Sequence, residues 1–388
     1  MESMIAALML LFGGAASDDA NATLDDWVRA AEQTRQAAVA SERGSSGVPM
    51  VMKTDPQPDA PVVKGLFATA HSAGGARLDT LLSMIDETEL NSLVIDVKDD
   101  YGNITYMTED PDLIARGTSK KMIKDPHALL EKLAQHDVYP IARIVVFKDS
   151  VLAKQRPDLS FAEENGAIWK NGRGESFVNP YVKEVWEYNI QVAKDAAKLG
   201  FKEIQFDYVR FPEGFEKKAD ILSYHRDERQ RIDVVADFVK YAREQLEPLG
   251  VRISVDIFGY AASVPAAEGI GQDFQQISKY VDVICPMVYP SHYSAGWFGS
   301  SVPDAKPYVT IDGAMKDTYE KLEPLGGFKP VIRPWIQDFT ASWVKGHIKY
   351  GKAEVEAQIR ALKDNGVDEF LLWNAGNTYT QDVDYDLE

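Results

Sequence analysis

Between Val63 and Asn374 the hydrophobic positions fall into two rhythms that take turns along the chain. Short apolar runs with a period of two occur at Val63–Thr69, Ser92–Lys98, Tyr139–Phe147, Glu203–Val209, Arg252–Phe258, Val281–Tyr289, Pro330–Gln337 and Glu369–Asn374, and they read as β-strands. Between them, patterns close to 3.6 residues predict helices over Arg77–Glu87, Pro126–Gln135, Val182–Leu199, Glu228–Leu246, Phe274–Tyr280, Ala314–Leu322 and Lys352–Asn365. Gly200, Gly250 and Gly366 each follow a helical stretch, where glycine is favoured because the chain leaves the helix through a left-handed turn. Strand, helix, glycine, strand is a parallel α/β rhythm.

Eight such strands are the number that closes a (β/α)8 TIM barrel. A doubly wound open sheet shares the rhythm, but it seldom has eight evenly spaced units, and no Gly-rich dinucleotide fingerprint follows any strand. The expectation is an α/β fold with one catalytic barrel domain over residues 62–388. Only a short tail follows the eighth strand, so the last barrel helix is expected to be absent or replaced by the N-terminal segment.

Residues 1–16 form an apolar run of signal-peptide length ending in small residues, without the positive start of a signal peptide because Glu2 stands there. The run reads as a signal or short anchor, and it falls short of the roughly 20 apolar residues of a membrane span. Export is the expectation, with a cytoplasmic location left open, and no stable membrane span is expected. Residues 17–61, rich in Ala, Ser, Asp and Gln with one helical stretch at Leu24–Ala40, have linker composition.

Composition narrows the function classes. The 45% hydrophobic and 26% charged fractions are those of a globular protein with enough apolar material for a large core. A net charge of −18 argues against a nucleic-acid partner, which needs a basic face to displace counterions. Cys285 is the single cysteine, which rules out an internal disulfide, and in its apolar strand it reads as a small buried hydrophobe. Zinc-protease histidine spacings, the serine-hydrolase elbow and the P-loop are all missing from the sequence. No cofactor and no metal is expected.

Alternation along each strand also gives its phase. Leu93, Ile95 and Val97 face the helices, which directs Asp96 and Lys98 inward at the C-terminal end. By the same reasoning Arg143, Gln205, Asp207, Ser254 and Asp256 point inward. Three aspartates and two cations at neighbouring strand tips are hard to explain as packing, because buried ions without partners cost several kcal/mol. The C-terminal face is also where barrel enzymes place their active sites. A purely structural account pairs Asp96 with Lys98 or Arg143, and Asp207 with Arg210.

The segments Val63–Thr69, Glu89–Gly102 and Glu203–Pro212 resemble a glycoside hydrolase domain family of unknown function, a branch related to the α-amylase-like barrels. The resemblance covers roughly residues 62–377, and Phe206–Pro212 is its most specific motif. It implies hydrolysis of an oligo- or polysaccharide by two carboxylates, Asp207 at the position of the nucleophile and Asp256 at that of the acid/base. This chain departs from the amylase-like pattern in two places. Asp256 stands where a glutamate is usual, and Gln205 replaces the arginine two residues before the nucleophile. A sugar site needs stacking surfaces and hydrogen-bonding groups, and the candidates at the strand ends are Tyr289, His292, Trp335, Gln337, Asp338, Trp373 and Asn374, with Asp96, Lys98, Arg143 and Arg210 around the carboxylates. The segment from Lys148 to Asn179 is the natural wall of a groove. Three alternatives stay open: a magnesium-dependent lyase or isomerase using the three aspartates, a Schiff-base aldolase using Lys98, and a carbohydrate-binding barrel without catalysis.

Overall fold

The structure, a computed structural model, describes residues 60–327 and 329–387. The predicted signal or anchor and nearly all of the predicted linker, including the helical stretch at Leu24–Ala40, lie outside the described residues. The strands are β1 (Lys64–Ala68), β2 (Ser92–Lys98), β3 (Tyr139–Val145), β4 (Glu203–Asp207), β5 (Arg252–Phe258), β6 (Val283–Met287), β7 (Val331–Ile332), β8 (Trp335–Gln337) and β9 (Phe370–Trp373). Every pairing among them is parallel, and the β5–β6 and β1–β9 pairings close the sheet on itself. Both β7 and β8 pair with β6, so they are two pieces of one stave. The break falls at Pro334, which has no N–H to give to the ladder. The result is a closed eight-stave parallel barrel, as the alternation predicted.

Helices link the staves at the predicted places, at Arg77–Asp86, Pro126–Gln135, Lys183–Leu199, Arg231–Leu246, Phe274–Ser278, Pro307–Leu322 and Lys352–Asp364. Gly200, Gly250 and Gly366 take φ of 118°, 68° and 70°, the left-handed geometry that made them visible as stops. The helix predicted from Ala314 begins at Pro307 instead; Gly313 interrupts the apolar pattern there, while Pro307 suits the first helical turn. After β9 the tail takes the place of an eighth helix. It is tied down by Asn377, whose Nδ2 donates to the Phe67 carbonyl at 3.0 Å, and by the buried Tyr385 against Phe370. No helix among the described residues is long and apolar enough to cross a membrane.

Apolar side chains divide between a large cluster under the helices and a small one inside the barrel, made of Val63, Phe67, Val94, Tyr139, Ile141, Val283, Cys285, Tyr289, Trp335 and Leu371. Much of the remaining interior is polar. At its N-terminal end Arg333, with no exposed surface, donates to Glu203 at 2.7 Å and Glu369 at 2.6 Å, while Ser254 donates to Glu203 at 2.6 Å. This network holds the floor of the barrel closed beneath the mouth. Arg333→Met is expected to lower stability by about 3–5 kcal/mol, since it leaves the buried Glu203 and the partly buried Glu369 without this cation. Urea unfolding would check this, and an unchanged midpoint would refute it.

Candidate active site

Four adjacent staves bring charge to the C-terminal mouth. Register sets Asp96 of β2 opposite Arg143 of β3, and Arg143 opposite Gln205 of β4, so the guanidinium lies between the tips of β2 and β4. Arg143 Nη1 donates to Asp96 Oδ1 at 2.6 Å and to Asp100 Oδ2 at 3.2 Å. Its Nε and Nη2 both donate to Asp207 Oδ2, at 3.0 and 2.6 Å. Burial opposes this charge, but Asp100, Asp207, Asp96 and Asp256 surround it and hold the guanidinium pKa well above its ordinary value. Phe67 and Trp373, stacked on each other, lie together on one side of it, with ring centroids 5.5 and 5.7 Å from Cζ. The amylase-like arginine missing at Gln205 thus has a counterpart reaching Asp207 from the neighbouring stave.

A third donor meets Asp207 from the other side, the backbone N–H of Tyr208 at 2.6 Å from Oδ1. Tyr208 adopts φ of 51°, a left-handed conformation costing roughly 1–3 kcal/mol in a non-glycine residue and concentrated at functional sites. The turn places its ring 4.4 Å from Lys148 Nζ and 4.8 Å from Arg210 Cζ.

Asp256 has different surroundings. It is 1% exposed and accepts a hydrogen bond from Trp335 Nε1 at 2.7 Å. Burial pushes its carboxyl well above the usual range, the charge of Asp207 pushes in the same direction, and the Trp335 bond and Arg143 only partly oppose them. Two aspartates on adjacent staves are therefore set apart by environment. Three donors converge on Asp207, whereas Asp256 has one donor and a carboxyl pushed upward by burial. Asp96 is pushed up to about 7 by burial, which outweighs its bond to Arg143. For Asp100 the balance reverses: burial opposes, yet Arg143 and Lys148 bring it down to about 2.

Of the predicted site residues, Asp96, Arg143, Asp207, Asp256, Trp335, Tyr289 and Trp373 gather at the mouth. Trp335 and Trp373 meet edge to face at 5.6 Å, and Tyr289 lies 6.4 Å from Trp373. His292 is exposed, 5.1 Å from the Tyr289 ring. Arg210 bonds the rim residue Glu213 at 3.1 Å and stacks on Tyr208 and Phe258, so the anticipated Asp207–Arg210 pair is replaced by Asp207–Arg143.

Four further expectations are corrected. Lys98 does not open onto the mouth: the β2–β3 register slips between Asp96 and Lys98, setting Lys98 opposite the outward-facing Ile144. Its ammonium is buried against Asp149 at 2.7 Å, the Val145 carbonyl at 2.7 Å and the Tyr188 ring. Gln337 has no exposed surface, and its amide is committed to Asp304, Phe339 and the Ser291 N–H. Asp338 is 3% exposed and receives both the N–H and hydroxyl of Thr380, fastening the tail. Asn374 spends its amide on the Asp338 and Thr378 carbonyls and the Gly376 N–H. Sequence reasoning also missed Asp100, Lys148 and Tyr208. The only signal for them was their position, just beyond strand tips that already carried inward charges.

The family model described as "Putative glycosyl hydrolase domain" matches residues 65–379. Among solved structures, a hypothetical protein from Ruminiclostridium thermocellum ATCC 27405 is 33% identical, covering 49% of this chain and 96% of that one, with a TM-score of 0.45. The PgaB (BpsB) glycoside hydrolase domain from Bordetella bronchiseptica aligns with a TM-score of 0.54 at 12% identity, over 82% of this chain and 95% of that one. At that identity the likeness is one of fold. Comparison with curated proteins finds no match.

Proposed function

The chain belongs to the family described as "Putative glycosyl hydrolase domain", and we propose that it hydrolyses O-glycosidic bonds of an oligo- or polysaccharide with Asp207 and Asp256 as its working carboxylates. The observation that carries this reading is the split between the two environments. Glycoside hydrolysis needs one carboxyl group that still holds a proton for the leaving oxygen and one carboxylate that meets the positive charge developing at the anomeric carbon. Asp256, buried and protonated past the usual range, fits the acid. Asp207, oriented by Arg143 and the Tyr208 N–H, fits the charge-bearing partner. Trp373, half-buried, offers apolar ring surface beside them, backed by the buried rings of Trp335 and Tyr289.

With Asp256 only 1% exposed, the reading requires the sugar to seat deep against Trp335. It also gives a pH dependence. Activity falls on the alkaline side as Asp256 loses its proton, and because the Trp335 N–H lowers the Asp256 pKa, Trp335→Phe should move that limb to higher pH. A pH profile of kcat/KM for both proteins tests the assignment, and coincident alkaline limbs would count against it.

The magnesium alternative loses support from Arg143, whose guanidinium fills the place between Asp96, Asp100 and Asp207 that a metal ion would need. The aldolase alternative loses support from the burial of Lys98 against Asp149. A non-catalytic barrel predicts glycan binding without turnover, indifferent to Asp207. The test is a screen of soluble glycans and aryl glycosides with the wild-type protein and the Asp207→Asn variant, and turnover equal in the two would contradict the proposal.

A further inference from the structure

Two aromatic side chains stand out in solvent beside the mouth, Tyr101 at 69% exposure and Trp343 at 68%. Both sit on segments that follow a barrel strand, after β2 and after β8, and so at the same end as the carboxylates. Exposing so much ring is unfavourable in water, and here neither ring hangs on a loose loop. The Tyr101 carbonyl accepts the N–H groups of Ser150 and Val151 at 3.0 and 3.1 Å, and the preceding Asp100 is held by Arg143 and Lys148. Around Trp343 the loop is fastened to the buried Asp304, which takes the Ile348 N–H at 3.2 Å and the Tyr350 hydroxyl at 2.9 Å.

Trp343 is also the outer end of a continuous row of rings. Trp373, next to the guanidinium of Arg143, is followed by Tyr289 at 6.4 Å, then Phe339 at 6.1 Å, then Trp343 at 6.0 Å with its plane within 20° of Phe339. Among the described residues Phe339 is the ring stacked on Trp343, which keeps 68% exposure. Tyr101, beyond β2, directly follows Asp100, one of the carboxylates bonded to Arg143, and β4 and β5 with Asp207 and Asp256 lie between β2 and β8 in the order of staves. The carboxylates are thus bracketed by two ring platforms on separate staves.

From this placement we infer that the site takes an internal stretch of a polysaccharide chain, led across the mouth between platforms at Tyr101 and Trp343. The inference rests on the glycosidase reading and extends it to substrate length and mode of attack. A sugar stacks its C–H face on an aromatic ring, and exposed rings set away from the reacting carboxylates, such as Tyr101 and Trp343, contact units that are not themselves cleaved. An enzyme that removed single terminal sugars would gain nothing from rings on both flanks.

The test compares the full-length wild type with Tyr101→Ala, Trp343→Ala and the double variant. Retardation is measured in native gels containing laminarin, starch, carboxymethyl cellulose or chitosan, and kinetics are measured on whichever polymer is cut and on the p-nitrophenyl glycoside of its sugar. Each single variant should raise KM for the polymer roughly 3- to 10-fold, the worth of one lost stacking contact. Kinetics on the aryl glycoside should stay unchanged, and the wild-type products should be internal fragments. If the wild type cuts a polymer and the variants match it, or if it cuts only the aryl glycoside, the platforms are refuted while the glycosidase reading stands. Retardation that depends on Trp343 without any cleavage would keep the platforms and overturn the glycosidase reading. A wild type that neither binds nor cuts any of these probes would overturn both.

Discussion

Asp207→Asn is expected to lower kcat by about a thousandfold or more while leaving a folded barrel that still binds glycan, because an amide cannot stabilise the positive charge of the transition state. The fold should survive because Arg143 keeps its bonds to Asp96 and Asp100, so the buried guanidinium is not stranded. The amide oxygen can still accept the Tyr208 N–H. Turnover, glycan retardation and circular dichroism on the same preparation check the expectation. A loss of turnover accompanied by lost structure would assign Asp207 to stability instead.

Asp256→Asn should produce a different pattern. Activity should drop by roughly 10²- to 10⁴-fold on natural glycosides, whose leaving oxygen needs a proton, and by much less on activated aryl glycosides, which leave without one. Stability should move the other way. In the folded protein the Asp256 pKa is raised, so between its unfolded and folded values the native state binds the extra proton and stability declines as pH rises. The amide that replaces the carboxyl has no proton to lose there, so that part of the decline should disappear. Melting temperatures followed upward from the ordinary carboxylate range should show the variant less sensitive to rising pH than the wild type, and an unchanged or steeper decline would contradict the assignment of Asp256 as the protonated acid.

The barrel was legible in the chain because its staves are short, alternating and punctuated by helix-ending glycines, three features that depend on neighbours close in sequence. Where an element rested on something more distant, reading failed. The break in the seventh stave follows from Pro334, visible in the sequence, but the two pieces it leaves are known as one stave only through their common pairing with β6. The start of the helix at Pro307 was hidden by Gly313, since tertiary packing overrides a weak local pattern.

At the site the inward phase of Asp96, Arg143, Asp207 and Asp256 could be read from alternation, and it placed the carboxylates. Lys98 was misplaced because an extra residue in β2 shifts everything after it to the other face, and nothing in the local composition marks such a bulge. Arg143 was seen as inward, yet its taking the place of Arg210 beside Asp207 depends on the register between staves, which a single strand does not contain. Gln337, Asp338 and Asn374 looked available because they end strands, but their partners Asp304, Thr380 and the Asp338 carbonyl come from separate segments. The assignment of acid and charge-bearing roles needed burial and donor counts that only the folded chain supplies.

The central claim is that Asp207 and Asp256 work as one unit on a glycosidic bond, and a double-mutant cycle addresses it most directly. Wild type, Asp207→Asn, Asp256→Asn and the double variant are compared by kcat/KM on one cleaved glycan. If the two groups act on the same transition state, the double variant should be about as slow as the worse single variant, because removing one partner already forfeits the joint contribution. Losses that multiply independently, or wild-type rates in either single variant, would contradict the pair.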